Sequence, residues 1–211
     1  MPLSASPATL TVGFDLDMTL IDSRPGIHAA YRAFSEHTGT YIDADLAVSR
    51  LGPPLTQELA EWFPADQVEA MADLYRERYP TFAIEGTLAM PGAREAVEAV
   101  QRHGGRAIVV TAKYEPNAKL HLDHLHINAD ALIGNLWAEQ KAEALREHGA
   151  SVYVGDHTGD VRGAHTAGAL AVAVPTGPIG ADELRAAGAE VVLADLTEFP
   201  AWLDGYVASR A

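Results

Sequence analysis

Two aspartates stand two residues apart in Thr11-Val-Gly-Phe-Asp15-Leu-Asp17-Met-Thr19-Leu20, and a second acidic pair, Asp156 and Asp160, follows Val152-Tyr-Val-Gly155. Between these pairs lie Thr111, directly after Val109-Val110, and Lys141, in Gln140-Lys-Ala-Glu-Ala-Leu145. Side chains two apart on a strand leave the same face, so the spacing predicts that Asp15 and Asp17 project together. Carboxylates so close repel each other and demand a cation. Asp156 would offer a third oxygen. An oxygen-rich, nitrogen-poor set suits Mg²⁺, which keeps several waters and bridges to phosphate. Lys141 adds a fixed positive charge and Thr111 a hydroxyl donor. Together the groups describe a receptor for a phosphoryl group beside a carboxylate nucleophile.

The elements that must position these groups can be read from the apolar pattern. Thr11–Leu20 alternates, with Val12, Phe14, Leu16 and Met18 as its apolar set, and predicts a short strand running into a turn. Ile27, Ala30, Tyr31 and Phe34 recur at helical spacing, with Gly39 as a stop. Val68, Met71, Tyr75 and Tyr79 mark another amphipathic helix, with Pro80 expected to end it. No strand-like run occurs from Arg24 to Ala83, which predicts a compact all-helical unit. Pro91-Gly92 then opens a helix that closes before Gly104. Buried strands are predicted at Ala107–Val110, Ala131–Ile133, Val152–Val154, Leu170–Val174 and Val191–Leu193, with helices between them, among them Lys141–His148 and Val161–Gly168.

Alternating strands and helices imply a parallel sheet covered on both faces. The expected fold is therefore α/β, a Rossmann-like doubly wound parallel sheet (residues 1–22 and 87–211) with a helical insert (23–86) after the first strand. In such sheets ligands gather beyond the carboxyl ends of the strands, where Asp15, Thr111 and Asp156 fall.

Composition narrows the partners. Of the 211 residues, 15 are Lys or Arg and 29 are Asp or Glu, a net charge of −14 that disfavours nucleic-acid polymers and anionic membranes. An anionic substrate would need local reversal of that field, which a bound metal would supply. The chain has no cysteine, which excludes disulfides and thiolate chemistry and fits a reducing cytoplasm. Met1–Leu10 lacks the basic and apolar regions of an export signal, and no apolar run approaches the roughly 20 residues of a membrane span.

The four motifs together resemble the haloacid-dehalogenase superfamily, composed mostly of phosphatases. Asp15-Leu-Asp17-Met-Thr19 matches its Asp-x-Asp-x-Thr, Thr111 its strand-end hydroxyl, Lys141 its lysine, and Gly155-Asp156-His-Thr-Gly-Asp160 its Gly-Asp-x-x-x-Asp. The insert, with Asp22-Ser23, Leu51-Gly52-Pro53-Pro54-Leu55 and Met90-Pro91-Gly92, resembles the cap of the phosphoglycolate-phosphatase-like branch. The resemblance implies a Mg²⁺-dependent phosphatase acting on a small phosphorylated metabolite. Asp15 would be the nucleophile and form an aspartyl-phosphate, and Asp17 the general acid and base. Asp15, Asp156 and the Asp17 backbone carbonyl would hold the metal. Thr111 and Lys141 would bind the phosphoryl oxygens, with Asp160, Thr19 and His157 in support. Ala112, Arg50 and Gly52 are further substrate-binding candidates, and surfaces on cap and core both lend themselves to a homodimer. Three positions depart from the family pattern. Met18 stands where glycine is usual and is expected to crowd the turn and narrow what can enter; Ala112 replaces a polar residue; His157 replaces a small hydroxyl residue.

Other readings compete. A sugar phosphomutase would carry the same motifs, a 2-haloacid dehalogenase would not need Asp17, and a phospho-accepting receiver would be shorter. A non-catalytic binding protein would keep the metal without turnover. His121, His124 and His126, with Asp123, read as an exposed face rather than a transition-metal cluster. Lys113 and Lys119 read as solvated surface lysines, and Trp62-Phe63 as core of the helical insert.

Overall fold

A computed structural model describes residues 10–210. The reading of Met1–Leu10 as free of an export signal falls, but for Leu10, outside the described residues. Strand β1 (Thr11–Phe14) is buried along its whole length, as a central strand of a parallel sheet must be. A two-residue strand, β2 (Ile21–Asp22), leads into four helices: α1 (Arg24–Thr38), α2 (Ala44–Ser49), α3 (Leu55–Leu59) and α4 (Val68–Ala83). Strand β3 (Leu88–Ala89) pairs antiparallel with β2, so the chain leaves for the helices and returns from them side by side.

The remainder alternates. Helix α5 (Ala93–Arg102) precedes β4 (Arg106–Val110), and α6 (Glu115–His124) precedes β5 (Ala131–Ile133). A 3-10 turn at Ala138–Gln140 runs into α7 (Lys141–Glu147), followed by β6 (Val152–Gly155) and α8 (Thr158–Ala167). Then come β7 (Leu170–Ala173), α9 (Ala181–Ala186), β8 (Val191–Val192) and α10 (Phe199–Ala208). The sheet runs β5-β4-β1-β6-β7-β8, and every pairing within it is parallel. It is the expected doubly wound α/β sheet, and each predicted strand is present. The order reverses at β1, where neighbouring crossovers depart to opposite sides and open a crevice.

Alternate side chains fill two layers. Val12, Phe14, Val109 and Val154 pack with Val97 and Val100 of α5 and with Phe199 and Leu203 of α10. Ile108, Val110 and Tyr153 face the other way, onto Leu145 of α7, Val161 of α8 and Leu184 of α9. The four helices α1–α4 have a separate aromatic core in which Tyr31, Phe34, Phe63, Tyr75 and Tyr79 are buried. Phe34 meets Tyr75 edge to face with ring centroids 5.4 Å apart. Phe63 is core, as expected, while Trp62 packs at its margin and donates its indole N–H to Glu58. No helix among the described residues is long and apolar enough to cross a membrane.

Three sequence expectations are corrected. The first strand stops at Phe14, so Asp15 and Asp17 lie in the following loop and not on a common strand face. Pro80 does not end its helix but sits inside α4. A helical proline lacks the N–H that would bond the carbonyl four residues back, here that of Arg76. Asn117 of α6 replaces it: its amide donates to the Arg76 carbonyl at 3.3 Å. Finally, His121 is fully buried and its Nε2 lies 2.9 Å from the Tyr79 hydroxyl, whereas His124 and His126 are exposed as expected. The three histidines therefore do not share a face.

The Pro80–Asn117 compensation predicts a coupled pair. Asn117→Leu should destabilise the protein by about 1 kcal/mol, the usual worth of a buried hydrogen bond. In a Pro80→Ala background, which restores the helical N–H, the loss should shrink to near zero in a urea-unfolding double-mutant cycle. Equal losses in both backgrounds would contradict the account.

Candidate active site

The site forms where β1, β4 and β6 end. The Asp15 N–H donates to the Val154 carbonyl at 2.8 Å, which carries β1's pairing with β6 one residue past the strand and fixes where Asp15 leaves the sheet. The next residues form a tight turn in which the Leu16 carbonyl accepts from the N–H groups of Thr19, Leu20 and Ile21. The turn puts Met18 at φ 61°, the left-handed region, which explains why glycine is the easier residue there. The Met18 side chain is buried in the protein and does not line the cavity, contrary to the expectation that it narrows the entrance.

The turn also separates the two aspartates. Asp15 Oδ1 accepts from Lys141 Nζ at 3.0 Å, while Asp17 accepts from Lys113 Nζ at 2.9 and 3.2 Å through its two oxygens. Lys141, the first residue of α7, has no solvent exposure. Its ammonium spends all three donors: on Asp15, on Asp160 Oδ1 at 2.7 Å and on the Tyr153 hydroxyl at 2.8 Å. Tyr153 in turn donates to the Val110 carbonyl at 2.6 Å. Burial pushes the Lys141 ammonium toward neutrality, but Asp15 and Asp160 outweigh it and hold the charge.

Asp156 accepts from the Thr19 hydroxyl at 3.1 Å, so the hydroxyl of the first loop reaches the carboxylate of the fourth. Asp160 Oδ2 accepts from the His157 N–H at 3.1 Å and so helps cap α8. His157 Nδ1 accepts from the Gly159 N–H, and the ring lies against Trp137 and Gly52 rather than in the cavity wall. Gly177 completes the enclosure: a Cβ there would lie 1.8 Å from Asp156 Oδ2.

Asp15, Asp156 and Asp160 each present an oxygen, all within 4.8 Å of one another. Three carboxylates face one ammonium, leaving two negative charges unmatched if all are ionised. The strain registers as displaced acidities. Burial, with Asp160 and Asp15 adding repulsion, pushes Asp156 well above the usual carboxylate range. Burial likewise raises Asp15 to about 6, against the pull of Lys141. A divalent cation between Asp15 and Asp156 would remove the excess, so the donor set fits a hard, oxygen-preferring metal. Asp17 differs. Burial pushes it up, but the Lys113 ammonium wins and holds it below its ordinary value.

A cavity of about 470 Å³ lies over these groups. Asp15, Asp17, Thr111, Ala112 and Lys113 line it from the sheet side, and Arg50, Gly52 and Arg76 from the helical side. All the sequence-predicted site residues except Lys141, Asp156, Asp160, Thr19 and His157 thus reach the cavity, and those five buttress its floor or flank. Arg50 is itself engaged, bonding Glu58 at 2.6 and 3.1 Å. Lys113 and Tyr153 are the groups that sequence reading missed. Lys113 reads as a surface lysine, but it stands two residues past Thr111 at the same strand end, a position that argues for the site. Lys119 is exposed and pairs with Asp123, as expected. For Tyr153, inside an apolar strand, the sequence carries no signal.

The family model described as haloacid dehalogenase-like hydrolase matches residues 12–165, and the chain belongs to that family. Among phosphatase relatives, the chain is 29% identical to the phosphoglycolate phosphatase of Chromobacterium violaceum, over 89% of this chain and 93% of that one. It is 31% identical to tyrosine-protein kinase PtkA of Mycobacterium tuberculosis over 115 residues; the match spans 54% of this chain and 40% of the kinase. A solved haloacid dehalogenase-like family protein of Streptococcus pneumoniae superposes with a TM-score of 0.80 at 24% identity, covering 92% of this chain and 98% of that one.

Unmatched buried charge should be visible in stability. A carboxyl whose folded pKa is raised contributes stability below its unfolded value, here 3.8, and loses it as pH rises through the folded value. In metal-free buffer, Asp156→Asn should therefore melt at a higher temperature than the parent at pH 8, with the gap closing toward pH 4. A gap independent of pH would remove the electrostatic explanation.

Proposed function

We propose that this chain is a Mg²⁺-dependent phosphatase that hydrolyses a small phosphomonoester through an aspartyl-phosphate. The observation that carries the reading is the buried trio Asp15, Asp156 and Asp160, in negative excess around one lysine at the floor of a cavity sized for a small metabolite. Whole-length similarity to a phosphoglycolate phosphatase supports the same reading.

In this scheme Asp15 attacks phosphorus, with Lys141 fixing one of its oxygens and leaving the other to react. Thr111, just past β4, would take a phosphoryl oxygen, Lys141 would orient Asp15 and stabilise developing charge from beneath it, Ala112 offers its backbone N–H, and Arg50 and Gly52 contribute from the helical side. Asp15, Asp156 and the Asp17 backbone carbonyl would hold Mg²⁺, with Asp160, Thr19 and His157 in support; when bound, the ion supplies positive charge beside the transferring group. Asp17 serves both halves of the reaction. Paired with Lys113 it is an anion, the form that takes a proton from the attacking water. To protonate the leaving oxygen it must first part from Lys113 and gain a proton. We further propose that residues 23–86 act as a cap over a core of 1–22 and 87–211, moving about the paired strands β2 and β3.

Purified protein with Mg²⁺ should release inorganic phosphate from p-nitrophenyl phosphate, EDTA should stop it, and Asp15→Asn should lower kcat by about a thousandfold or more. Full activity in Asp15→Asn would refute the nucleophile. Lys113→Met removes the cation that depresses the Asp17 carboxyl, so the acid limb of the kcat–pH profile should move to higher pH. An unmoved limb would separate Asp17 from the rate-limiting proton transfer.

A further inference from the structure

The cations around the cavity are not equally committed. Lys113 is bonded to Asp17 and lies 4.7 Å from the Tyr79 ring centroid. Arg50 is held by Glu58 through two hydrogen bonds and approached by Glu61. Arg76, on α4, also lines the cavity, and its charge is poorly answered. Its Nε is buried with no hydrogen-bond partner. Its Nη1 meets Asp73 at 2.9 Å, but the Asp73 side chain is 78% exposed, and a solvated pair of this kind contributes little.

The same guanidinium is nonetheless held in place. It lies over the Tyr114 ring at 5.4 Å, which restricts its plane. Its own backbone is anchored by the Asn117 amide on the carbonyl that Pro80 leaves free, tying this turn of α4 to α6 of the core. A guanidinium short of acceptors, fixed on a cavity wall in a chain of net charge −14, is a receptor for an oxyanion that arrives with the ligand.

We propose that Arg76 is a specificity-determining residue that binds a second anionic group, carboxylate or phosphate, on the phosphomonoester whose reacting phosphoryl group sits at Asp15. The assignment rests on the phosphatase reading for the identity of the first group, and not for the second. Asn117 and Tyr114 act as positioning residues for the guanidinium.

The test compares three ligands of similar length: glycerol 3-phosphate, 3-phosphoglycerate and glycerol 1,3-bisphosphate. Binding is measured by calorimetry with Mg²⁺ in an Asp15→Asn background, where turnover does not consume the ligand, and kcat/KM is measured in parallel in the parent. The carboxylate or bisphosphate should bind at least about tenfold more tightly than glycerol 3-phosphate, the ratio expected of one charge-assisted interaction. Which of the two binds better distinguishes the chemical sources. Arg76→Gln should abolish the preference through affinity, and Arg76→Lys should restore part of it. Asp73→Asn, an exposed change that removes the competing carboxylate, should enlarge it. A ratio near one in the parent background, or an unchanged ratio in Arg76→Gln, overturns the proposal. Selective, Arg76-dependent binding with no phosphate release from any of the three ligands would leave the subsite standing and overturn the phosphatase reading instead.

Discussion

The site depends on one buried ammonium that cannot balance its surroundings. Lys141 satisfies Asp15, Asp160 and Tyr153 at once, while among the described residues no cation pairs with Asp156, which accepts from the neutral Thr19 hydroxyl. A fully paired cluster would be a structural ion network, stable and inert. This one is short of positive charge through its geometry, since β1, β6 and α8 converge their acids beyond the carboxyl ends of the central strands while α7 sends a single lysine. Burial, with the repulsion among the acids added to it, raises Asp15 and Asp156, and the shortage makes a divalent ion the natural complement.

A second interaction joins the helical unit to that chemistry. Tyr79 of α4 offers its ring to Lys113 and its hydroxyl to His121, both on the sheet side. Burial pushes the Tyr79 phenol up to about 12, so it stays neutral and can serve as hydrogen-bond partner to the imidazole. Burial also drives His121 down to about 3, which keeps that ring neutral near Lys113. Lys113 therefore stands between Asp17 and the aromatic core of α1–α4. The residue that holds Asp17 as an anion also feels where the helices sit.

Much of this was legible in sequence, for identifiable reasons. Strands buried on both faces leave continuous apolar runs, so the sheet order's raw material is visible; residues at their carboxyl ends are then candidates whatever the loops do. Thr111, Lys141, Asp156 and Asp160 were found that way. Three things were not legible. Asp15 and Asp17 separate because the loop turns at Leu16, and no alternation rule sees a turn whose left-handed residue is Met18. Pro80 continues its helix because Asn117, distant in sequence, supplies the missing bond. Tyr153 serves the site from within a strand because its hydroxyl is carried past the core to Lys141. The first is a local turn closed on the Leu16 carbonyl; the other two are tertiary contacts that no local rule can see.

The stretch after β7 adds no charged group to the site, yet it governs the electrostatics. Thr176 donates to the Met18 carbonyl at 2.6 Å, and the Gly177 peptide closes directly over Asp156. Until that segment docks, water can hydrate Asp156 and its pKa need not be displaced. The repulsion among the acids therefore becomes acute only when the stretch after β7 excludes solvent. With that loop open, a hydrated Asp156 would relieve the acidic floor, so the loop's closure couples solvent exclusion to the site's appetite for positive charge.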